Sequence, residues 1–198
     1  LTIGFDATRW GSPGVSEERY TVAEALESPL IPRVSVIVPF FNSEAFLVPC
    51  IEALRTARDE AAGRAQVELL FIDNGSSDDT LDIVRAHPLY RQRAQIVDAS
   101  DTPGLGHARN VGVNAASGTF VAFCDDDDVV SETWLRDLWA DLEGHPFVGS
   151  RMEYTRLNDA AALVGRTLVQ TDSTMEMFGY RLVNGAGFAI RRDLWSVA

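Results

Sequence analysis

The sequence predicts an α/β fold in which a mostly parallel sheet carries helices on both faces. Short apolar segments rich in β-branched residues alternate with longer segments in which apolar residues recur at helical spacing. This alternation repeats four times between positions 34 and 142. Parallel strands joined by helical crossovers are the arrangement that such an order favours.

Each element follows from its own pattern. Strands are expected at 34–39, 67–72, 94–97 and 119–124, with further strands at 147–154 and 185–190. Helices are expected at 47–61, from Ser76 or Ser77 to Val84, at 106–116 and at 131–142. Asn42-Ser43 and Ser131 are polar residues of the kind that cap a helix N-terminus. Pro49 is expected to kink or delay the first helix.

Composition excludes several classes of protein. The 198 residues include 29 acidic and 17 basic residues, for a net charge of −12, and all the basic residues are Arg. A chain without Lys cannot form a P-loop NTPase, a protein kinase or a pyridoxal-phosphate enzyme. The acidic balance argues against a nucleic-acid partner. The longest apolar run, 34–41, is too short to span a bilayer, and Cys50 and Cys124 are expected as free thiols.

The negative charge is concentrated in two segments. Residues 73–82 contain four acidic residues and no basic one, and residues 125–143 contain eight acidic residues and one Arg. These segments therefore hold −11 of the net charge of −12. Both begin where a predicted strand ends, which indicates a binding site rather than a general aid to solubility.

Three polar or aromatic segments directly follow predicted strands. They are Pro39-Phe-Phe-Asn42, Asp73-Asn-Gly-Ser-Ser-Asp78 and Asp125–Asp128. In an open α/β sheet, ligands bind beyond the carboxyl ends of the strands. The three segments are therefore expected to meet at one edge of the sheet.

The run Asp125–Asp128 is the sharpest of these features. Four adjacent carboxylates repel one another and raise each other's pKa unless a positive charge lies among them. A divalent cation such as Mg²⁺ or Mn²⁺ would supply that charge. Asp125 and Asp127 can share one face of an extended segment. The alternative is a solvated acidic turn that caps the helix expected from Ser131.

Other residues near this edge have two interpretations each. Asp73 could accept a hydrogen bond from a nucleobase, or it could stabilise a turn. One of Phe40 and Phe41 is expected to stack on a base and the other to pack in the core. Arg109, one turn into a helix, could hold a phosphate or pair with a nearby carboxylate.

The motifs resemble those of the family 2 glycosyltransferases. The matching segments, in order and spacing, are 34–42, 71–78, 106–110 and 123–128, with 184–192 similar to a late, acceptor-side segment. The resemblance covers residues 34–198. It implies a GT-A type fold with a mostly parallel, Rossmann-like sheet, a nucleotide-diphosphate sugar donor, and Mn²⁺ or Mg²⁺ bound through a DxD-type motif.

The resemblance also assigns roles to individual residues. Pro39 and Phe41 would line the base pocket, and Asp73 would bind the base. Arg109 would lie near the donor. Asp125 and Asp126 would face the ribose or sugar. Asp127 would bind the metal, together with Asp125.

The family pattern is not matched everywhere. Phe41 stands where Tyr is common, and Asn74 stands where an acidic residue is common. The acidic residues Asp172, Glu176 and Asp193 lie in no recognisable base motif, so the sequence identifies no general base. The family resemblance implies inversion at the anomeric carbon.

These observations lead to one expected function and two alternatives. The expected protein transfers a sugar from a nucleotide-diphosphate donor to an unknown acceptor. It has an N-terminal leader (1–33, with a helix near 17–26), a donor-binding half (34–155) and an acceptor-side region (156–198) that is expected to be incomplete. The alternatives are a truncated or degenerate donor-binding module without turnover, and a phosphohydrolase that uses the Asp run. The expected location is the cytoplasm, with peripheral attachment at the inner face of the membrane as a variant.

Overall fold

The computed structural model describes the α/β region and parts of the segment that follows it. The described residues are 33–92, 94–142, 144–151, 153, 174–177, 180–183 and 187–195. The helix expected near 17–26 and residues 154–173 lie outside them. The division into leader, donor-binding and acceptor-side regions therefore stays a prediction.

Strands and helices follow one another in the predicted order up to position 149, whereas the strands at 174–177 and 180–183 and the helix at 192–195 were not predicted. The strands are β1 (Arg33–Phe40), β2 (Gln66–Asp73), β3 (Ala94–Asp98), β4 (Phe120–Phe123), β5 (Phe147–Gly149), β6 (Thr174–Met177), β7 (Tyr180–Val183) and β8 (Phe188–Arg191). The helices are α1 (Leu47–Glu60), α2 (Thr80–Ala86), α3 (Leu105–Ala115), α4 (Trp134–Leu142) and α5 (Arg192–Trp195), and a 3-10 helix (Pro88–Gln92) follows α2.

One sheet organises the described part of the chain. Its strand order is β3-β2-β1-β4-β8-β5, and β6 pairs with β7 in a separate antiparallel sheet. The first four strands in this order run parallel to one another, whereas β8 is antiparallel to both β4 and β5. The predicted α/β class with a mostly parallel sheet is confirmed.

Strand β1 lies inside the sheet, and its side chains enter two separate cores. Val36 and Val38 face a core that α1 and α4 cover with residues such as Leu54 and Leu138. Ile37 faces the second core, which α3 covers. Since helices cover both faces, the central strands are apolar on both sides, which explains their nearly continuous apolar sequence.

Helix α3 approaches the sheet closely at Gly112. A Cβ atom on Gly112 would lie 2.5 Å from Ile37 Cγ2 and 3.2 Å from Ile72 Cγ1. The side chain of any other residue would push the helix outward. This close approach sets the height of α3 above the sheet, and therefore the position of Arg109.

The two antiparallel strands are shorter than predicted. Strand β5 ends at Gly149 rather than at 154, and its last residue pairs with Phe188. Gly187, just before that partner, has a φ of 73°, which extended strands do not adopt. The late strand therefore begins at Phe188, and the Ser150 N–H still donates to the Gly187 carbonyl, at 2.6 Å, just past the paired residues of β5.

Two helices begin later than predicted. Helix α4 begins at Trp134, because the residues before it form a turn that the Trp134 N–H closes onto the Ser131 carbonyl at 3.0 Å. Helix α2 begins at Thr80, and its N-cap residue is Asp79 rather than a serine. Both differences concern polar residues at the carboxyl ends of strands, where local turns compete with helix formation.

The start of α1 departs from the prediction in two ways. Its N-cap residue is Phe46, and no side-chain hydrogen bond caps it, so the predicted capping by Asn42-Ser43 is wrong. Ser43 contributes its backbone carbonyl, which accepts hydrogen bonds from the N–H groups of Phe46 and Leu47 at 3.0 Å. Pro49 lies in the first turn, where no intrahelical acceptor awaits its nitrogen, so the helix begins without delay.

Candidate active site

The loops after β1, β2 and β4 lie at one side of the sheet, which we call the carboxyl edge. Side chains join the first two loops directly. The Asn42 N–H donates to Ser76 Oγ at 3.1 Å, and the Ser77 N–H donates to Asn42 Oδ1 at 2.8 Å. Asn42 has a φ of 51°, a left-handed conformation that Asn adopts more readily than most residues. The two loops are therefore held in a fixed relation.

Asp73 ends β2 and is 7% exposed. Its Oδ1 accepts a hydrogen bond from the Ser76 N–H at 2.9 Å. The turn role that the sequence left open is thus present in the structure. Binding of a base by the same carboxylate stays a prediction.

The aromatic residues after β1 point to different environments. Phe40 is buried in the core, whereas Phe41 is 59% exposed at the carboxyl edge. This division matches the expectation that one ring packs and the other is available for stacking. Pro39 is buried and lies opposite Ile72 in the sheet register. Its predicted contact with a base remains untested, as does that of Phe41.

Arg109 and Asp125 form an ion pair at this edge. Arg109 Nη2 lies 2.9 Å from Asp125 Oδ1, and the two side chains are 15% and 29% exposed. The guanidinium carbon lies 5.8 Å from the centroid of the Phe123 ring. Partial burial strengthens this attraction relative to a fully solvated pair. The pair that the sequence offered as an alternative is formed, and it orients the first carboxylate of the acidic run.

Ser43 binds the second carboxylate of that run, which the sequence analysis did not anticipate. Ser43 is 4% exposed, and its hydroxyl donates to Asp126 Oδ2. Its backbone N–H donates to Thr80 Oγ1 at 2.8 Å. A serine directly after Asn42 reads as a helix cap, and no local pattern distinguishes that role from a contact across the sheet edge.

Residues Asp125–Asp128, here called the acidic turn, rest on two buried thiols. Cys50 Sγ and Cys124 Sγ lie 3.6 and 3.4 Å from the Asp125 carbonyl oxygen. Both cysteines are buried, and both are free, as the sequence predicts. Its hydrogen bond with Cys50, together with burial, raises the pKa of the Cys124 thiol. It therefore stays protonated and can donate to the carbonyl oxygen.

The acidic turn has more negative charge than its surroundings stabilise. Burial raises the pKa of Asp128 to about 6, and repulsion from the three neighbouring carboxylates adds to the shift. Burial also raises the pKa of Asp126, although the Ser43 hydroxyl opposes that change. Asp127 is exposed. Carboxylates in this state favour the arrival of a cation.

The donor chemistry of the acidic turn fits Mg²⁺ or Mn²⁺, but the turn is not a complete cage. Within the described ranges, no three His, Cys, Asp or Glu side chains are arranged to hold a metal ion. Mg²⁺ usually takes one or two protein carboxylates and completes its shell with water and substrate phosphates. Asp127, exposed, and the remaining oxygen of Asp125 could supply those carboxylates.

Asn74 anchors the loop that leads into α3. Its Nδ2 donates to the carbonyl oxygens of Ala99 (2.6 Å) and Thr102 (2.9 Å), and its Oδ1 accepts from the Gly104 N–H (2.7 Å). A carboxylate could not make the first two contacts, because it has no proton to donate at neutral pH. The amide of Asn74 therefore makes contacts that an acidic residue, common at this position in the family that the sequence resembles, could not make.

One of the acidic residues considered as a general base lies far from this edge. Asp193 is in α5 and pairs with Arg191, whose Nε lies 3.1 Å from Asp193 Oδ1. Arg191 pairs with Phe120 at the opposite end of β4. Asp172 and the side chain of Glu176 lie outside the described structure. No general base is assigned.

None of the helices in the described ranges combines the length and the apolar character needed to cross a membrane.

Comparisons with known proteins bear on the fold and the family. AglE, a glycosyltransferase of Haloferax volcanii, is 30% identical over 134 residues, which are 67% of this chain and 43% of AglE. A crystal structure of TarS from Staphylococcus aureus has a TM-score of 0.62 at 24% identity, covering 83% of this chain and 48% of the other. Glucosyl-3-phosphoglycerate synthase from Mycobacterium tuberculosis has a TM-score of 0.57 at 23% identity, covering 93% and 64%.

The chain spans between 31% and 43% of the length of the first curated relatives that it matches. The similarities to solved structures support the GT-A type fold. The family model described as "Glycosyl transferase family 2" matches residues 35–193, which include most of β1, all of β2 to β4 and every segment of the carboxyl edge. The chain therefore belongs to glycosyl transferase family 2.

Proposed function

We propose that this chain binds a nucleotide-diphosphate sugar at the carboxyl edge and transfers the sugar to an acceptor with the help of a divalent cation. The acidic turn is the observation that carries the proposal. It is held in place by Arg109 and Ser43, yet its carboxylates remain under mutual repulsion. A site that keeps such charge at the end of a buried strand is suited to a cation.

The structural neighbours support the class of ligand. TarS has been crystallised with UDP and with UDP-GlcNAc, and the mycobacterial synthase with UDP and Mg²⁺ or Mn²⁺. Those ligands belong to those proteins. For this chain we propose the same class, a nucleoside diphosphate with a divalent cation, and leave the sugar and the acceptor unassigned.

The residues of this chain would divide the work of binding the donor. Phe41, exposed next to the Asp73 turn, would stack on the base, and Asp73 would accept a hydrogen bond from it. Asp127 and Asp125 would hold the cation. When bound, the cation would neutralise charge on the diphosphate and so make it a better leaving group. Arg109 would keep Asp125 in position for this task.

Calorimetry with UDP, GDP and dTDP, with and without Mn²⁺, tests the proposal. At least one nucleotide is expected to bind in the presence of Mn²⁺, and Asp127→Ala is expected to weaken that binding by at least about tenfold, since it removes a direct metal ligand. Asp141→Ala, which removes an exposed carboxylate from α4, is the matched control.

Two results would contradict the assignment. If the protein binds none of the three nucleotides, the carboxyl edge is not a donor site. If Asp127→Ala and Asp141→Ala bind equally well, the cation is held elsewhere. Binding without release of the nucleotide from any matching sugar donor would instead indicate a donor-binding module without turnover.

A further inference from the structure

The short helix α5 is docked on α3 at two points. The Arg192 Nη1 donates to the Ala116 carbonyl at 2.7 Å, directly beyond the last residue of α3. Further along, the Trp195 Nε1 donates to Asn110 Oδ1 at 2.8 Å. The second hydrogen bond joins residues 85 positions apart in the sequence. Helix α5 therefore braces α3 over about two turns.

Trp195 also contacts the strand that leads to the acidic turn. Its ring system is stacked on Phe123, with centroids 4.9 Å apart and an interplanar angle of 30°. Phe123 is also stacked on Phe188, at 4.5 Å and 23°. The guanidinium of Arg109 lies over the same Phe123 ring at 5.8 Å. Trp195 and Arg109 thus share one aromatic neighbour.

These contacts form a closed circuit. Asn110 is the neighbour of Arg109 in α3, Trp195 holds Asn110, and Phe123 lies between Trp195 and Arg109. Outside this ring of contacts, Arg109 forms its ion pair with Asp125. Gly112 fixes the height of α3 above the sheet. Gly112 does not prevent α3 from sliding along its axis or rotating about it. The contacts made by α5 oppose both movements.

We propose that Trp195 and Asn110 are a positioning pair: their hydrogen bond fixes α3 so that Arg109 orients Asp125 in the acidic turn. This inference rests on the proposed function, because it assumes that the acidic turn binds a donor and cation. It assigns a role to a residue outside the donor-binding half that the sequence motifs define. Neither Trp195 nor Asn110 is a catalytic residue in this proposal.

A double-mutant cycle on the protein tests the pair. Trp195→Phe keeps a ring to stack on Phe123 and removes the N–H donor, whereas Asn110→Ala removes the acceptor. Each substitution is expected to weaken binding of UDP in the presence of Mn²⁺ by about 2- to 10-fold, the range that one hydrogen bond supplies. The double variant is expected to bind no more weakly than either single variant, because both remove the same contact.

Trp139→Phe is the matched control. Its indole packs edge-on against Phe120 at 5.4 Å in the other core, and its replacement should leave UDP affinity within twofold of the wild type. Thermal unfolding of all four variants separates a positioning role from a structural one. A structural role would lower the unfolding temperature without changing UDP affinity at temperatures where the protein is folded.

The outcomes separate this inference from the proposed function. If the wild type binds no UDP with Mn²⁺, the proposed function is overturned for that nucleotide, and the positioning role falls with it. If the wild type binds UDP but both single variants bind within twofold of it, the positioning role alone is overturned. Additive losses in the double variant would also overturn it, since they would show two independent effects.

Discussion

Carboxylates at the two ends of the parallel strands differ in how many hydrogen-bond donors they have. We call the end at which these strands begin, near Ser35 and Glu68, the amino edge. At the amino edge, Glu68 accepts hydrogen bonds from the Ser35 hydroxyl, the Ser117 N–H and the Ser117 hydroxyl, the last two at 2.6 and 2.9 Å. Ser35 in turn accepts from the Gly118 N–H at 2.8 Å. One carboxylate therefore has three donors from two neighbouring segments.

At the carboxyl edge, by contrast, the carboxylates outnumber their side-chain donors. Four carboxylates of the acidic turn share Arg109 and the Ser43 hydroxyl as side-chain partners in the described structure, and two of them have raised pKa values. The comparison teaches how to distinguish a structural acidic group from a functional one. A structural carboxylate is satisfied within the fold, whereas a binding carboxylate keeps capacity for a ligand.

An open concavity at the amino edge agrees with this distinction. It is lined by residues that include Glu68, Ser117 and Arg33. Its one carboxylate is already satisfied by three donors. This supports our proposal that the binding site lies at the carboxyl edge, where charge is left unsatisfied.

The largest expected loss of stability comes from a substitution at the amino edge. In Gly118→Ala the new Cβ would lie 2.6 Å from Ser35 Oγ and 2.8 Å from two backbone atoms, the Phe120 oxygen and the Ser35 nitrogen. Backbone cannot yield as a side chain can, so we expect a loss of about 3 kcal/mol in the free energy of unfolding. Urea unfolding measures it.

Gly144→Ala is the control for that substitution, because the nearest atom to its Cβ is 3.9 Å away. Its effect should stay within about 0.5 kcal/mol. UDP affinity of folded Gly118→Ala should match the wild type if the amino edge is purely structural. A large loss of affinity at full folding would contradict the proposed division between the edges.

An intermediate effect is expected where the core meets the carboxyl edge. Gly112→Ala drives a methyl group into Ile37, at 2.5 Å, so α3 must move outward and carry Arg109 with it. We expect a loss of about 2 kcal/mol in unfolding free energy, together with weaker binding of UDP and Mn²⁺. Unlike Gly118→Ala, this substitution should change both quantities.

Gly106→Ala serves as the stability control in the same helix. No atom lies within 4 Å of its added Cβ, so the helix propensity of Ala should stabilise the protein slightly. If the two variants were equally stable, the close approach of α3 to the sheet would not be a real constraint.

The smallest expected effect is a gain in stability at the acidic turn. The folded-state pKa of Asp128 is raised from 3.8 to about 6, so folding favours its protonated form. Its contribution to stability is therefore fully present below about pH 3.8 and is lost as the pH rises through 6. Asp128→Asn removes this loss, and the metal-free variant should unfold about 2–4 °C higher at pH 7.

Scanning calorimetry at pH 7 and at pH 5 measures that difference. The advantage of Asp128→Asn over the wild type should shrink at pH 5, where the wild-type carboxyl is largely protonated. Asp141→Asn, exposed on α4, should show no such pH dependence. A variant less stable than the wild type at pH 7 would show that Asp128 is satisfied within the fold.

Periodicity predicted the order of β1 to α4, because buried strands and amphipathic helices have different spacings of apolar residues. It also predicted which loops meet at the carboxyl edge, since this follows from parallel connectivity alone. The prediction failed where non-local contacts decide. The Ser43 hydroxyl binds Asp126 instead of capping α1, and that partner is 83 residues away.

The ends of β5 and β8 show the same limit. Their lengths depend on pairing between Gly149 and Phe188, and on the positive φ of Gly187. Neither segment contains this information by itself. The pairing of Arg109 with Asp125 could be named from the sequence only as one of two options, because its choice depends on how closely α3 approaches the sheet at Gly112.

The concentration of charge at the carboxyl edge also has a kinetic consequence. An anionic nucleotide that approaches the metal-free acidic turn meets a field of its own sign, which slows the encounter at low ionic strength. A cation bound first at Asp127 would weaken that field before the nucleotide arrives. If this edge is the donor site that we propose, long-range electrostatics would favour entry of the metal ion ahead of the donor.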